Sequence, residues 1–155
     1  MLDTDFLNPF IKGAAEALSI QRGLTVVGEP PFIKGKKPMG PISVAGQIGL
    51  TSTAFKGVVC RCFEGPAFLR MVSNMFGEEI SEITAESQDA AAELLNIIYG
   101  AAKTAWNATG YKLEMAIPTV VRGSEVHVSQ GSTPVLVVPL KSEYGYIYIE
   151  IAIKD

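Results

Sequence analysis

The stretch Tyr146-Ile-Tyr-Ile-Glu-Ile-Ala-Ile-Lys154, near the carboxyl end of the chain, alternates between two kinds of side chain. Its four isoleucines point to one side of an extended strand, whereas Tyr146, Tyr148, Glu150 and Lys154 point to the other. Such alternation is typical of an antiparallel sheet with one face in the core and one wetter face. This stretch therefore predicts a sheet whose isoleucine face is covered.

Other segments supply further strands and the helices that would cover the sheet. The runs at 42–51 and 55–63 are strand-like and are joined by a polar turn, which predicts a β-hairpin. Shorter strands are expected at 24–27, 111–117, 125–129 and 133–140, and helical spacing of apolar residues occurs at 6–18, 67–75 and 84–107. We expect an α+β fold, with long helices on a mainly antiparallel sheet rather than a doubly wound one. Each half runs helix, strand, hairpin, which indicates a weak internal duplication.

Composition limits the class of protein. The 155 residues fit one domain spanning 1–155, and 48% hydrophobic against 19% charged residues argues against disorder. A net charge of −3 disfavours a nucleic-acid partner. No uncharged apolar stretch approaches the roughly 20 residues of a membrane span, and the acidic start does not resemble a signal peptide. We expect a cytoplasmic protein.

The two cysteines, Cys60 and Cys62, are too few for a disulfide framework. In a strand both would point to the same face, so we interpret them as two small core residues in a reducing compartment. The single histidine, His127, is interpreted as a surface or half-buried strand residue rather than a catalytic base. With one histidine and two cysteines a structural zinc site is hard to assemble, and we expect no metal site in this chain.

The predicted helix at 84–107 carries one polar stripe. At about 100° per residue, its members share one arc, opposite a face of alanine, leucine and isoleucine: Asp89, Glu93, Asn96, Gly100 and Lys103. Glycine costs about 1 kcal/mol against alanine inside a helix, so Gly100 suggests room for another surface to approach Asn96. Periodicity alone would equally fit the ordinary solvated face of an amphipathic helix.

The run Asp89-Ala-Ala-Ala-Glu93-Leu-Leu-Asn96, with Pro118 downstream, resembles the signature of the CheX/CheC family of chemotaxis phosphatases. That signature is an acidic residue or serine, three residues, glutamate, two residues, asparagine, then a proline some twenty residues on. The resemblance extends through Asn96-Ile-Ile-Tyr-Gly-Ala-Ala-Lys103 and Pro118-Thr-Val-Val-Arg-Gly123. It is detailed over 89–123 and covers the whole chain in element order. Glu-x-x-Asn alone would carry little weight.

The resemblance implies an enzyme that hydrolyses the aspartyl phosphate of a CheY-like response regulator. It implies that Asn96 orients the attacking water and that Glu93 pairs with the receiver's active-site lysine. Asp89, Gly100 and Lys103 are then expected at the contact with the partner. The chain would bind no cofactor itself, because Mg2+ would arrive in the receiver. CheX-like members form homodimers, so a homodimer is expected.

Several alternatives stay open at this level. Asp5 and Asn8 could be a second site, but the shorter acid and Pro9 favour a degenerate or capping arrangement. A single site resembles CheX more than CheC. The same fold could also serve as a non-catalytic module that docks on a receiver or a flagellar-switch component. In a third interpretation the domain only dimerises, and Glu93 and Asn96 are merely exposed.

Overall fold

A computed structural model describes residues 25–51, 56–108, 114–115, 119–123 and 134–154. The predicted first helix at 6–18, the predicted strand at 125–129 and five residues singled out above lie outside the described residues: Asp5, Asn8, Pro9, Pro118 and His127.

Eight strands form one antiparallel sheet in the described part of the chain. Their bounds are β1 Val27–Gly28, β2 Phe32–Ile33, β3 Ile42–Thr51, β4 Lys56–Glu64, β5 Glu114–Met115, β6 Thr119–Arg122, β7 Leu136–Ser142 and β8 Gly145–Lys154. The order is β1-β7-β8-β4-β3-β5, with β2 also beside β7 and β6 also beside β3. The predicted hairpin is confirmed as β3–β4, and it meets the hairpin β7–β8 through β4 and β8.

The strand order is symmetric about the junction of β4 and β8. The outer neighbours of β7 come from the first half of the chain, and those of β3 come from the second half. Each half therefore completes the sheet of the other. This exchange agrees with the weak duplication indicated by the sequence.

Two helices are described, α1 Gly65–Phe76 and α2 Ala85–Ala108. Pro66 lies in the first turn of α1, where its missing N–H costs nothing, and Gly77 ends the helix in a left-handed conformation with φ of 70°. Thr84 and Ser87 cap the start of α2 reciprocally: the Thr84 N–H donates to Ser87 Oγ at 2.8 Å, and the Ser87 N–H donates to Thr84 Oγ1 at 3.3 Å. Both helices thus match the predicted positions within two residues.

The main core lies between the helices and the isoleucine face of the sheet. Ile147, Ile149 and Ile151 are buried there. The rings of Phe63 and of Phe68 in α1 pack edge to face, with their centroids 5.4 Å apart. Burial of such large apolar side chains, at about 25 cal/mol per Å², is the main source of fold stability. The prediction that the isoleucine face is covered is confirmed.

The opposite face of the sheet is not the wetter face expected from the sequence. Tyr148 is 4% exposed and Glu150 is 2% exposed. The segment from β2 to β3 folds over them, with Phe32 and Met39 packed against a second, smaller core and Lys34 Nζ 2.9 Å from Glu150 Oε1. The expectation was wrong because alternation shows which residues share a face, whereas only the path of a distant loop decides whether that face is covered.

Several short strands also differ from the expected ones. Residues 119–122 form β6 along β3, although the sequence indicated only the region between two strands, and Phe32–Ile33 forms β2 within an expected loop region. The strand expected at 24–27 is found at Val27–Gly28, and in the segment 111–117 the described strand is Glu114–Met115. Such pieces become strands because a longer neighbour offers hydrogen-bonding partners, which is a property of tertiary contact.

Candidate functional site on helix α2

The predicted polar stripe is an exposed strip on α2. Asp89, Glu93, Asn96 and Gly100 are all exposed. At 3.6 residues per turn they fall within an arc of about 60°, and at 1.5 Å per residue they extend about 16 Å along the helix. The buried side of the same helix includes Ser87, Ala90 and Tyr99. We call these four exposed residues the α2 stripe.

Lys103, the fifth residue predicted for this surface, is half-buried. It lies one turn beyond Gly100 at the margin of the exposed arc, so its stem is partly covered while the rest of the strip is open. The structure therefore brings four of the five predicted residues together on one open surface and places the fifth at its end.

Tyr99 and Arg61 form the buried base of α2. The Tyr99 side chain is 1% exposed, and its hydroxyl donates to the carbonyl of Val59 in β4 at 3.4 Å. Arg61 is fully buried beside it, and desolvation lowers the pKa of the Arg61 guanidinium to about 10. Burial raises the pKa of Tyr99. Near neutral pH, Arg61 is thus charged and Tyr99 neutral, and both side chains are buried.

Strand β6 fixes the first turns of the helix. Gln88 Nε2 donates to the carbonyl of Val120 at 3.0 Å, and Arg122 Nη1 donates to the carbonyl of Ile83 at 2.8 Å. Strand β6 itself pairs with β3 over four residues. The Thr-Val-Val-Arg run of the sequence therefore has a structural role, which is to hold the start of α2 at the edge of the sheet.

The polar atoms of the stripe are available to a partner. Among the residues that the structure describes, no hydrogen bond or ion pair engages the carboxylate of Glu93 or the amide of Asn96. Apart from its own helix and chain neighbours, no described residue would lie within 4 Å of a Cβ placed on Gly100. A second surface could therefore approach the helix closely at this point.

One exposed residue beside the stripe was not predicted from the sequence. The side chain of Ile97 is 44% exposed, although an isoleucine in an otherwise apolar run suggests a core position. The only indication in the sequence that Ile97 could be exposed was its position next to Asn96, about 100° round the helix. An exposed aliphatic side chain next to two polar ones is a common composition for a contact surface.

Candidate metal ligands lie elsewhere in the described residues. One group of three is found, formed by Cys60, Cys62 and Glu150 on the face of the sheet opposite α2. A cavity of about 470 Å³ adjoins this face and is lined by residues that include Glu29, Glu64, Tyr146 and Tyr148. Neither belongs to the α2 stripe, because the sheet separates them from the helix.

No helix in the described part of the chain combines the length and the apolarity needed to cross a membrane. A search of curated proteins finds no match to the sequence.

Solved structures match the whole fold. A CheC-like superfamily protein from Shewanella sp. PV-4 is 30% identical, with 99% of this chain and 100% of that chain covered and a TM-score of 0.91. The chemotaxis protein CheX from Vibrio vulnificus is 26% identical, with 97% and 100% covered and a TM-score of 0.89. A CheX from Borrelia burgdorferi, solved as a CheX–CheY–BeF3–Mg2+ complex, shares the fold at 22% identity, with 99% and 100% covered and a TM-score of 0.81.

The match to a sequence family agrees with these structures. Residues 44–141, which include the α2 stripe and most of the β3–β4 hairpin, match the family described as chemotaxis phosphatase CheX. The α+β architecture, the exposed strip on the long helix and this match lead to one conclusion: the chain belongs to the CheX family.

Proposed function

We propose that this protein hydrolyses the aspartyl phosphate of a CheY-like response regulator, with Asn96 and Glu93 of the α2 stripe as the working residues. The observation that carries the proposal is the pair itself. Both side chains are exposed, one turn apart on a helix held rigidly to the sheet, and both are available to a partner.

An aspartyl phosphate is an activated acyl phosphate, so its hydrolysis needs no covalent nucleophile from the phosphatase. Holding a water in line with phosphorus and stabilising the charge of the transition state are sufficient. The side-chain oxygen of Asn96 would accept a hydrogen bond from that water, while its amide nitrogen would donate to the receiver. An amide suits this task because it orients the water without adding a negative charge beside the phosphoryl group.

Glu93 would pair with the active-site lysine of the receiver and thereby set the register of docking. Gly100 would let the receiver surface approach the helix, and Asp89 and Lys103 would lie at the ends of the contact. Mg2+ would be held by the receiver and would neutralise the developing charge. The chain's own residues are then required only to dock, orient and exclude bulk water.

The relatives support this proposal in coarser terms. Chemotaxis phosphatase is the description of the matching family, and the Borrelia relative was solved together with CheY, BeF3 and Mg2+. These findings support a CheY-type partner, whereas the roles of single residues rest on the exposed geometry of α2 and on the chemistry above.

The test is the loss of phosphoryl label from a phosphorylated CheY-like receiver, measured with purified Asn96→Ala and Glu93→Ala variants. For Asn96→Ala we expect kcat to fall about 100-fold with little change in KM, because a misplaced water costs about that much. For Glu93→Ala we expect mainly a rise in KM, because docking is weakened before chemistry is. Asn107→Ala is a control for folding, since it removes an exposed amide near the end of the same helix, where that amide already has a partner within the protein.

The outcomes separate the proposal from its alternatives. Full activity in Asn96→Ala would refute the water-orienting role. A receiver that binds the wild-type protein but is not dephosphorylated faster would favour a non-catalytic docking module. No binding of any receiver would favour a domain that only dimerises. The expected homodimer stays a prediction, which a measurement of mass in solution would check.

A further inference from the structure

The face of the sheet opposite α2 carries a buried cluster with two thiols and a carboxyl group. Cys60 is 0%, Cys62 2% and Glu150 2% exposed. The two Sγ atoms and a carboxylate oxygen of Glu150 all lie within 4.8 Å of one another. Thiolates are soft ligands and a carboxylate oxygen is a hard one, and zinc binds both types in proteins.

Strand pairing is what adds the third ligand. Cys60 and Cys62 are two residues apart on β4 and so share a face, and Glu150 of β8 stands directly opposite Cys60 in the register. Directly opposed residues of antiparallel strands have Cβ atoms about 4.5–5.5 Å apart. Strand β4 is paired along its length with β3 on one side and β8 on the other, so the cluster is held by the central part of the sheet.

The separation of the thiols suits tetrahedral coordination. Their Sγ atoms are 3.6 Å apart. Two thiolates bound to zinc at about 2.3 Å with a tetrahedral angle would have their sulfurs about 3.8 Å apart. The two cysteines could therefore ligate one ion with a shift of a few tenths of an ångström, without a change of backbone.

Charge balance also permits an ion at this position. Lys34 Nζ lies 2.9 Å from Glu150 Oε1, so with both thiols protonated the buried group is neutral. When a divalent cation replaces the two thiol protons, two thiolates, one carboxylate, one ammonium and the ion again sum to zero. Neutrality is important because an uncompensated buried charge costs several kcal/mol.

Lys34 provides the route of entry. Its side chain is 32% exposed, whereas Glu150 is 2% exposed, so the ammonium group lies between the carboxylate and solvent. An incoming cation would pass into the cluster beside Lys34, whose ammonium group would stay near the carboxylate and keep the buried group neutral.

We infer that Cys60, Cys62 and Glu150 form a binding site for a thiophilic divalent cation of the zinc type, on the face of the sheet opposite the α2 stripe. Binding forms two metal–thiolate bonds and one metal–carboxylate bond, and it releases the two thiol protons to the buffer. Three protein ligands leave one coordination position for a solvent molecule. The site is independent of the proposed phosphatase chemistry. It differs from the expectation from the sequence that the chain has no metal site, because that expectation counted only cysteine and histidine as ligands and did not include Glu150.

The test is a titration of the tag-free, reduced full chain with Zn2+ in competition with a chromophoric chelator, repeated with Co2+ to detect thiolate-to-cobalt charge-transfer absorption. We expect one Zn2+ per chain, proton release on binding and the charge-transfer band. In Cys60→Ser and Cys62→Ser we expect affinity to fall at least tenfold and the band to weaken, and in the double variant to vanish. Glu150→Gln should keep the band but bind more weakly.

Far-ultraviolet circular dichroism and receiver dephosphorylation serve as controls, since none of these variants touches α2. A folded double variant that binds Zn2+ as tightly as the wild-type protein would overturn the inference. So would a wild-type chain that binds no Zn2+ at micromolar free metal, or a Co2+ complex without thiolate absorption.

Discussion

Replacement of Gly100 by alanine should move stability and activity in opposite directions. Gly100 is exposed in the interior of α2, and it is not among the glycines with positive φ. Outside its own helix and chain neighbours, no residue in the described part of the chain lies within 4 Å of a Cβ placed on it. The added methyl group therefore meets no steric cost, and the substitution recovers about 1 kcal/mol of helix propensity. For a chain of this size that corresponds to a rise in Tm of about 2–4 °C.

The same methyl group would stand where the receiver is proposed to approach. We expect Gly100→Ala to lower kcat/KM for dephosphorylation about threefold and Gly100→Leu to lower it at least tenfold, because the larger side chain holds the receiver away from Asn96. Thermal unfolding and the phosphoryl-release assay, run on the same preparations, measure the two effects. Asn107→Ala is the control for activity, since it lies about 10 Å further along α2, one residue before the end of the helix.

Two results would refute this reasoning. Unchanged dephosphorylation by a folded Gly100→Leu variant would mean that the glycine does not make room for a partner. A lower Tm for Gly100→Ala would mean that the environment of this residue is not the open one described.

Three further substitutions test other parts of the structure. Ile97→Ser should change the free energy of unfolding by no more than about 0.5 kcal/mol, because Ile97 is 44% exposed. In a binding titration the same variant should bind the receiver about tenfold more weakly than the wild-type protein. Unaltered binding would exclude Ile97 from the contact. Lys34→Met should lower the free energy of unfolding, measured in urea, by about 2 kcal/mol. This is less than the ~3–5 kcal/mol lost when a fully buried ion pair is broken, because Lys34 is partly exposed. A change near zero would mean that Glu150 needs no counter-charge. Ser87→Ala should lower the free energy of unfolding by about 1 kcal/mol, because it removes the reciprocal cap with Thr84. An unchanged midpoint of urea unfolding would contradict this expectation.

The features that sequence reasoning predicted correctly are those that depend on local periodicity. The spacing of apolar residues was enough to locate α1 and α2, and the alternation of isoleucines identified the covered face of β8. The arc that holds Glu93 and Asn96 also follows from helical geometry alone. Each of these properties depends on residues close together in the chain, so the sequence pattern is sufficient to predict it.

Tertiary structure decided what distant segments do to one another. Glu150 is polar and stands in the expected register, yet it is buried because the segment carrying Lys34 crosses the sheet 116 residues away in sequence. Strand pairing placed the same carboxyl group opposite Cys60, which is why two cysteines that suggest small core residues can become two ligands of a metal site. Likewise, Ile97 is exposed although it lies two turns beyond buried Ala90 on the same side of α2, so the helical period alone does not decide its exposure. The sequence by itself determined which residues share a face; only the folded chain determined what each face meets, because burial depends on contacts between segments far apart in sequence.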